Sequence, residues 1–282
     1  MKTLTHASLA VLSVFTLGAS AQAAEIVVTP ADLGPGLNQW HLDNYRTVGT
    51  GPYTSITTAA ITNTKPRSGN GSVEMSLTDG SGKADYVYTW GYVPGRTLGN
   101  LSALSYDWQR ASGGTAGQHL MPAFRLFYDA DGNVGTTNDT GYLIFEQVYN
   151  PPGNNGPVTT DAWVTSDILG ANFWMRQFTP GNTVESYDNT LAEWAAGAHP
   201  SAVADLLSAD TAILGIEFGI GSGWNGSFQG FVDNVTYRFG SGDVTTFNFE
   251  TEAADVPEPA SLALITLGLL GVAARRRKDQ TM

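Results

Sequence analysis

Between residues 25 and 249 the chain is cut into about eleven short runs of β-forming residues, each bounded by clusters of Gly, Asn, Asp or Pro. The runs lie at 25–29, 71–77, 86–93, 101–109, 123–128, 141–149, 162–167, 173–178, 211–219, 228–239 and 244–249. No helical pattern alternates with them, so the βαβ rhythm of a parallel α/β fold is missing. An all-β body is expected over 24–250: an antiparallel two-sheet β-sandwich, jelly-roll-like. One stretch departs from the pattern. Thr190-Leu191-Ala192-Glu193 has the form of a capping box and predicts a helix over 191–196, with a second short helix over 200–207. A helical insertion near 189–207 is therefore expected on the side of the sandwich.

Composition agrees with a β core and excludes several functions. Seven Trp, 11 Tyr and 12 Phe supply its aromatic bulk, and only 14% of residues are charged, against about 25% in an ordinary soluble domain. The net charge is −12, and five of the basic residues stand in the two terminal segments. Without those segments the body has nine basic and 24 acidic residues. A body of that sign is unsuited to the phosphates of nucleic acid. There is no cysteine, so disulfides, zinc-thiolate sites and thiol nucleophiles are excluded.

Both ends read as addresses. Residues 1–23 have the form of a secretory signal peptide: Lys2, an apolar stretch over 7–17, and the small-x-small cleavage site Ala21-Gln22-Ala23. At the other end, 251–256 is a short linker and 260–274 an uncharged run of 15 residues, closed by Arg275-Arg276-Arg277-Lys278. As a helix that run spans about 22 Å, short of a bilayer core of about 30 Å. It predicts a marginal membrane anchor with the basic cluster in the cytoplasm and the body outside. Pro257-Glu258-Pro259, the short apolar helix and Arg275, Arg276 and Arg277, in that order, resemble the tail of PEP-CTERM proteins. The resemblance covers 257–282 and implies a sorting signal, processed by a membrane exosortase in a Gram-negative, exopolysaccharide-making bacterium. It further implies transient inner-membrane insertion with the body in the periplasm, then a mature form that is extracellular or on the cell surface.

Three stretches of the body are candidates for chemistry. In a strand, Tyr86, Tyr88, Trp90 and Tyr92 share one side; the row either lines the core or forms a platform on which sugar rings stack. Asp129-Ala130-Asp131-Gly132-Asn133, followed by Asn138-Asp139, places oxygen ligands at alternate positions, as calcium requires. It lacks the Gly and Glu of an EF-hand, and the simpler reading is a plain turn between two strands. The third stretch runs from Gly215 through a Gly-rich loop bearing Trp224 to Val232-Asp233-Asn234-Val235. With Pro66-Arg67-Ser68-Gly69-Asn70-Gly71 it resembles jelly-roll carbohydrate-binding modules and concanavalin-like sandwiches. That resemblance implies a structural calcium ligand at Asp233, the alternative being a backbone-bonding role at a strand end. The candidate glycan contacts are thus Tyr86, Tyr88, Trp90, Tyr92 and Trp224, and the candidate calcium ligands Asp129, Asp131 and Asp233.

Catalytic motifs are missing: no HExxH, GxSxG or P-loop is present. Glu146 and Glu217 lie in expected strands and form a carboxylate pair of the kind a glycosidase needs, although the close-set Glu-x-Asp-x-Glu pattern is absent. The expectation is a non-enzymatic exported protein of the cell surface or extracellular matrix that binds glycan, exopolysaccharide being its partner. A self-associating matrix protein and a glycoside hydrolase using Glu146 and Glu217 are the alternatives.

Overall fold

The computed structural model describes residues 24–46, 57–136, 138–151, 156–198 and 206–252. The expected signal peptide, the apolar run 260–274 and most of the helix expected at 200–207 lie outside them. Among the described residues no helix is long and apolar enough to cross a membrane.

The body is a β-sandwich. In chain order its strands are β1 (Ala24–Val28), β2 (Trp40–Arg46), β3 (Thr57–Thr62), β4 (Ser72–Leu77), β5 (Lys83–Thr89), β6 (Leu101–Arg110) and β7 (Ala123–Asp129). There follow β8 (Thr140–Phe145), β9 (Val164–Asp167), β10 (Asn172–Thr179), β11 (Asn182–Thr190), β12 (Ala212–Gly221), β13 (Phe228–Phe239) and β14 (Thr245–Phe249). Among the described residues there is one α-helix, α1 (Leu191–Ala195), and it starts on the expected capping box: Thr190 Oγ1 accepts the Glu193 N–H and the Glu193 carboxylate accepts the Thr190 N–H. Every run expected from the sequence contains a strand. The run at 141–149 is cut short at Phe145, because Gln147–Tyr149 makes a 3-10 turn.

Each sheet has seven strands. The first follows the order β1-β14-β13-β4-β3, and the far side of the long β13 pairs with β6, which pairs with β9. The second runs β11-β10-β8-β7-β12-β5-β2 and is antiparallel throughout. One departure from an antiparallel sandwich lies in the first sheet: β1 and β14 pair in parallel, so that sheet is mixed. The first and last described strands thus run side by side in the same direction.

Two-residue alternation assigns each face. On β12, Ile216, Phe218 and Ile220 are buried in the core cluster, and they meet Tyr86, Phe124, Leu126, Leu143, Phe173 and Met175 of the same sheet. Trp40, 1% exposed, stands where the sheets meet. Its ring lies 5.3 Å from Tyr88 and 5.2 Å from Phe218 in the second sheet, and 5.3 Å from Phe247 and 5.2 Å from Phe249 in the first.

The first sheet is also fastened by a polar clasp. The register of β13 against β6 shifts between Asp233 and Thr236, where Asn234 takes a left-handed φ of 50°. Asp233 is fully buried. Its Oδ1 accepts the N–H groups of Asn234 (2.8 Å) and Phe249 (2.9 Å), and its Oδ2 accepts that of Ser68 (3.2 Å). The Asn234 amide donates to Ser68 Oγ and to Asp107 Oδ2, which also receives Arg67 Nε at 2.8 Å. Burial, opposed by the three backbone donors, pushes the Asp233 carboxyl up to about 7. Asp233 thus accepts three backbone N–H groups from within β13, and not from the strand end expected for a backbone-bonding role. Asp233→Ala strips an acceptor from three backbone N–H groups, and is expected to cost about 2–5 kcal/mol of stability, read from chemical denaturation.

Candidate functional site

The aromatic row divides. Tyr86, Tyr88 and Trp90 are 1%, 9% and 3% exposed and belong to the core cluster. Trp90 Nε1 donates to the Ile213 carbonyl and the Arg96 guanidinium stacks over its ring at 4.7 Å. These three side chains form no sugar platform; they point between the sheets because the opposite side of β5 carries Lys83 and Asp85, which belong outside the core. Tyr92 lies beyond the strand and is 52% exposed. Trp224 is 8% exposed and packs edge-on against Phe228 at 5.0 Å.

The outer face of the second sheet is where polar and aromatic side chains converge. Register places Arg125 of β7 between Ile144 of β8 and Glu217 of β12, and Trp174 of β10 opposite Ile144. By alternation Tyr142, Glu146, Arg176 and Phe178 share this face, as do Lys83 and Asp85 of β5. Together they line a groove of about 440 Å3, with Asn44 and Arg46 on one flank and Trp224 at one end. Glu146 and Glu217, the pair singled out in the sequence, both face it. They lie two strands apart and about two residues out of step, so their Cα atoms are about 12 Å apart.

The groove floor is a charge network. The Arg125 guanidinium donates to Asp85 Oδ1 at 2.8 Å and to Glu217 Oε1; Lys83 Nζ and the Asn44 amide donate to Asp85 Oδ2. Asp85 is fully buried. It fits there because β12 has Gly219 opposite: a Cβ at that position would lie 2.1 Å from Asp85 Oδ1. Burial alone would lower the Arg125 pKa, but the Asp85 and Glu217 charges raise it. Burial raises the Glu217 carboxyl and lowers Lys83, whose ammonium also faces Arg125. Two cations thus neutralise two anions, and the network is a floor with no excess charge.

The walls are less saturated. Glu146 Oε2 accepts Trp174 Nε1 at 3.0 Å, and burial raises its carboxyl. The Trp174 ring stacks on Tyr187, 5.4 Å away at an interplanar angle of 20°, and Tyr187 meets Tyr149 at 5.2 Å. Tyr142 stands between Phe127 at 5.3 Å and Phe178 at 5.9 Å. Trp174, Tyr142 and Tyr187 escaped the sequence reading because none belongs to an alternating aromatic row like that of β5, and the nearby Phe173 and Phe145 belong to the core. Their only sequence signal is the position two or four residues from a charged groove residue.

The acidic loop after β7 keeps Asp129 and Asp131 together and adds Asp139, with carboxylate oxygens within 4.8 Å of one another. Asp233 is not part of that group and lies in the other sheet, in its own hydrogen-bonded clasp.

Comparison with known proteins adds one assignment. Residues 255–278 match the PEP-CTERM protein-sorting motif, so the chain carries the sorting tail of an exported protein. Among curated proteins none matches the sequence. Among solved structures, the chain is similar to a family 11 carbohydrate-binding module from Clostridium thermocellum, in complex with a β-1,3-1,4-mixed-linked tetrasaccharide. The identity is 16%, the TM-score 0.37, and the match covers 75% of this chain and 94% of that one. A likeness that distant carries no residue or ligand over to this chain.

Arg125 holds two buried carboxylates. Arg125→Met leaves Glu217 without its cation and Asp85 with Lys83 alone, and is expected to lower stability by about 3–5 kcal/mol in denaturant titrations. The double variant with Glu217→Gln should recover part of the loss.

Proposed function

We propose that the body is an exported, non-catalytic glycan-binding module that holds a polysaccharide chain in the groove of the second sheet. The carrying observation is the composition of that face. It combines fixed hydrogen-bonding groups (Asn44, Arg125, Glu146, Arg176) with aromatic side chains (Trp174, Tyr142, Phe178) in one open depression. Hydroxyl-rich ligands with apolar C–H faces need both, and the neutral floor suits an uncharged or weakly charged chain. The sorting tail supports delivery of this surface to the cell envelope, with processing by an exosortase-type enzyme and exopolysaccharide as the partner.

The test is calorimetric titration or affinity electrophoresis with the exopolysaccharide of the producing cell and with soluble glucans. Trp174→Ala and Arg176→Ala are each expected to weaken binding about tenfold or more, a loss of about 1.4 kcal/mol per tenfold, with thermal melting still cooperative. Folded protein that binds none of these polymers would sink the proposal, and concentration-dependent assembly without saccharide would favour the matrix-forming alternative.

A hydrolase remains the second reading, because Glu146 and Glu217 face one groove and burial raises both carboxyls. Raised carboxyls suit a general acid. Against it, Glu217 is ion-paired to Arg125, which fits a structural role. Reducing ends released from polysaccharide by the intact protein, and lost in Glu146→Gln, would establish catalysis. The expected outcome is no release from either protein.

A further inference from the structure

The end of the second sheet away from Glu146 holds a second concentration of acid. Asp129 closes β7, paired with Thr140 of β8 and Ala212 of β12. Its side chain is 0% exposed, and neither carboxylate oxygen meets a donor at hydrogen-bonding geometry, the Gly132 N–H approaching without closing a bond. Among the described residues no basic side chain forms an ion pair with it. A lone buried carboxylate costs several kcal/mol unless something of opposite charge or a proton meets it. Here the problem is compounded, because Asp131 and the buried Asp139 bring further oxygens within 4.8 Å.

The loop is shaped to keep the three acids together. Asp139 Oδ2 accepts the Asp131 N–H at 3.2 Å, and Asp131 Oδ1 accepts the Asn133 N–H at 2.7 Å. Gly132, between them, has a φ of 73°, the left-handed conformation that spares the turn a side-chain clash. Thr211 Oγ1 donates to the Ala130 carbonyl and fixes the loop base against β12. Asp131 itself is exposed, so solvent reaches the cluster from one side.

We propose that Asp129, Asp131 and Asp139 bind a divalent cation, calcium being the ion that an all-oxygen set of this kind suits. Three carboxylates supply only part of the six to eight oxygens calcium takes, and water entering beside Asp131 supplies others. There is no nitrogen or sulfur donor in the cluster, which disfavours zinc and copper. The ion neutralises the buried Asp129 carboxylate, whose oxygens no donor meets. It also staples the β7–β8 loop to the sheet that bears the groove, about 13 Å along β7 from Arg125. This assignment is independent of any ligand in the groove.

The full chain, stripped with chelator and dialysed, should melt several degrees higher in about 5 mM CaCl2, with half-saturation at about 10⁻⁴–10⁻³ M, the range of extracellular calcium modules. Magnesium chloride at the same concentration should shift it less. In Asp129→Asn the calcium response should vanish, while its melting temperature in chelator equals or exceeds that of the parent, since a buried charge has gone. Asp131→Asn is exposed and should fold normally, so it decides the matter if Asp129→Asn does not fold; its half-saturation should rise about tenfold or more. A parent protein whose melting does not respond to calcium would overturn the proposal. A full calcium shift retained in both variants would overturn it as well, since the ion would then sit elsewhere.

Discussion

The Trp40 indole is in ring contact with both sheets at once, and the fold depends on that junction. The chain has no cysteine, so nothing covalent holds the sheets face to face. What does is apolar burial between them, concentrated where Trp40 meets Tyr88 and Phe218 on one side and Phe247 and Phe249 on the other. Tyr86 stacks on Phe218 at 5.7 Å with an interplanar angle of 2°, extending the cluster along β5 and β12. Because those two strands present their aromatics inward, their alternate residues must face outward. Asp85 and Glu217 are carried onto the outer face by the same periodicity that buries Tyr86 and Phe218. The groove is thus the reverse side of the core, and neither can be changed in register without the other.

That coupling explains what was readable in the sequence. Most of the dense β-forming runs became interior strands, where apolar alternation leaves a mark, although β1 and β9 lie at edges. Three strands had no such mark: Trp40–Arg46, Thr57–Thr62 and Asn182–Thr190. Each is an edge strand, β2 and β11 closing the second sheet and β3 the first. An edge strand is solvated along one side and stays polar to avoid pairing with other chains, so its composition resembles a loop. Asp43-Asn44-Tyr45-Arg46 and Glu185-Ser186-Tyr187 are of that kind.

The site was legible in its parts and not in its assembly. Alternation put Tyr86, Tyr88 and Trp90 on one side of a strand but was silent on which side faces solvent. That choice is made by partners distant in sequence: Arg125 lies 40 residues from Asp85 and 92 from Glu217. Glu146 and Glu217 were found because carboxylates in apolar strands stand out. Trp174 and Tyr142 were not, since an aromatic in a strand that also feeds the core with Phe173 or Phe145 is ordinary until its neighbours are known. Asp139 joined Asp129 only when the β7–β8 turn folded back, and Asp233 left them because it lies in the other sheet.

The parallel pairing of β1 with β14 has a mechanical consequence. The Glu250 N–H still donates to the Val28 carbonyl just past the end of β14, and the sorting motif begins only a few residues later, at 255. Consider a pull applied to the end of β14 along that strand's axis. Its hydrogen bonds to β1 and β13 run across that axis and are loaded in shear, all together, and not peeled one at a time. Under such a load β1 and β13 share the strain on β14 through bonds that must break together.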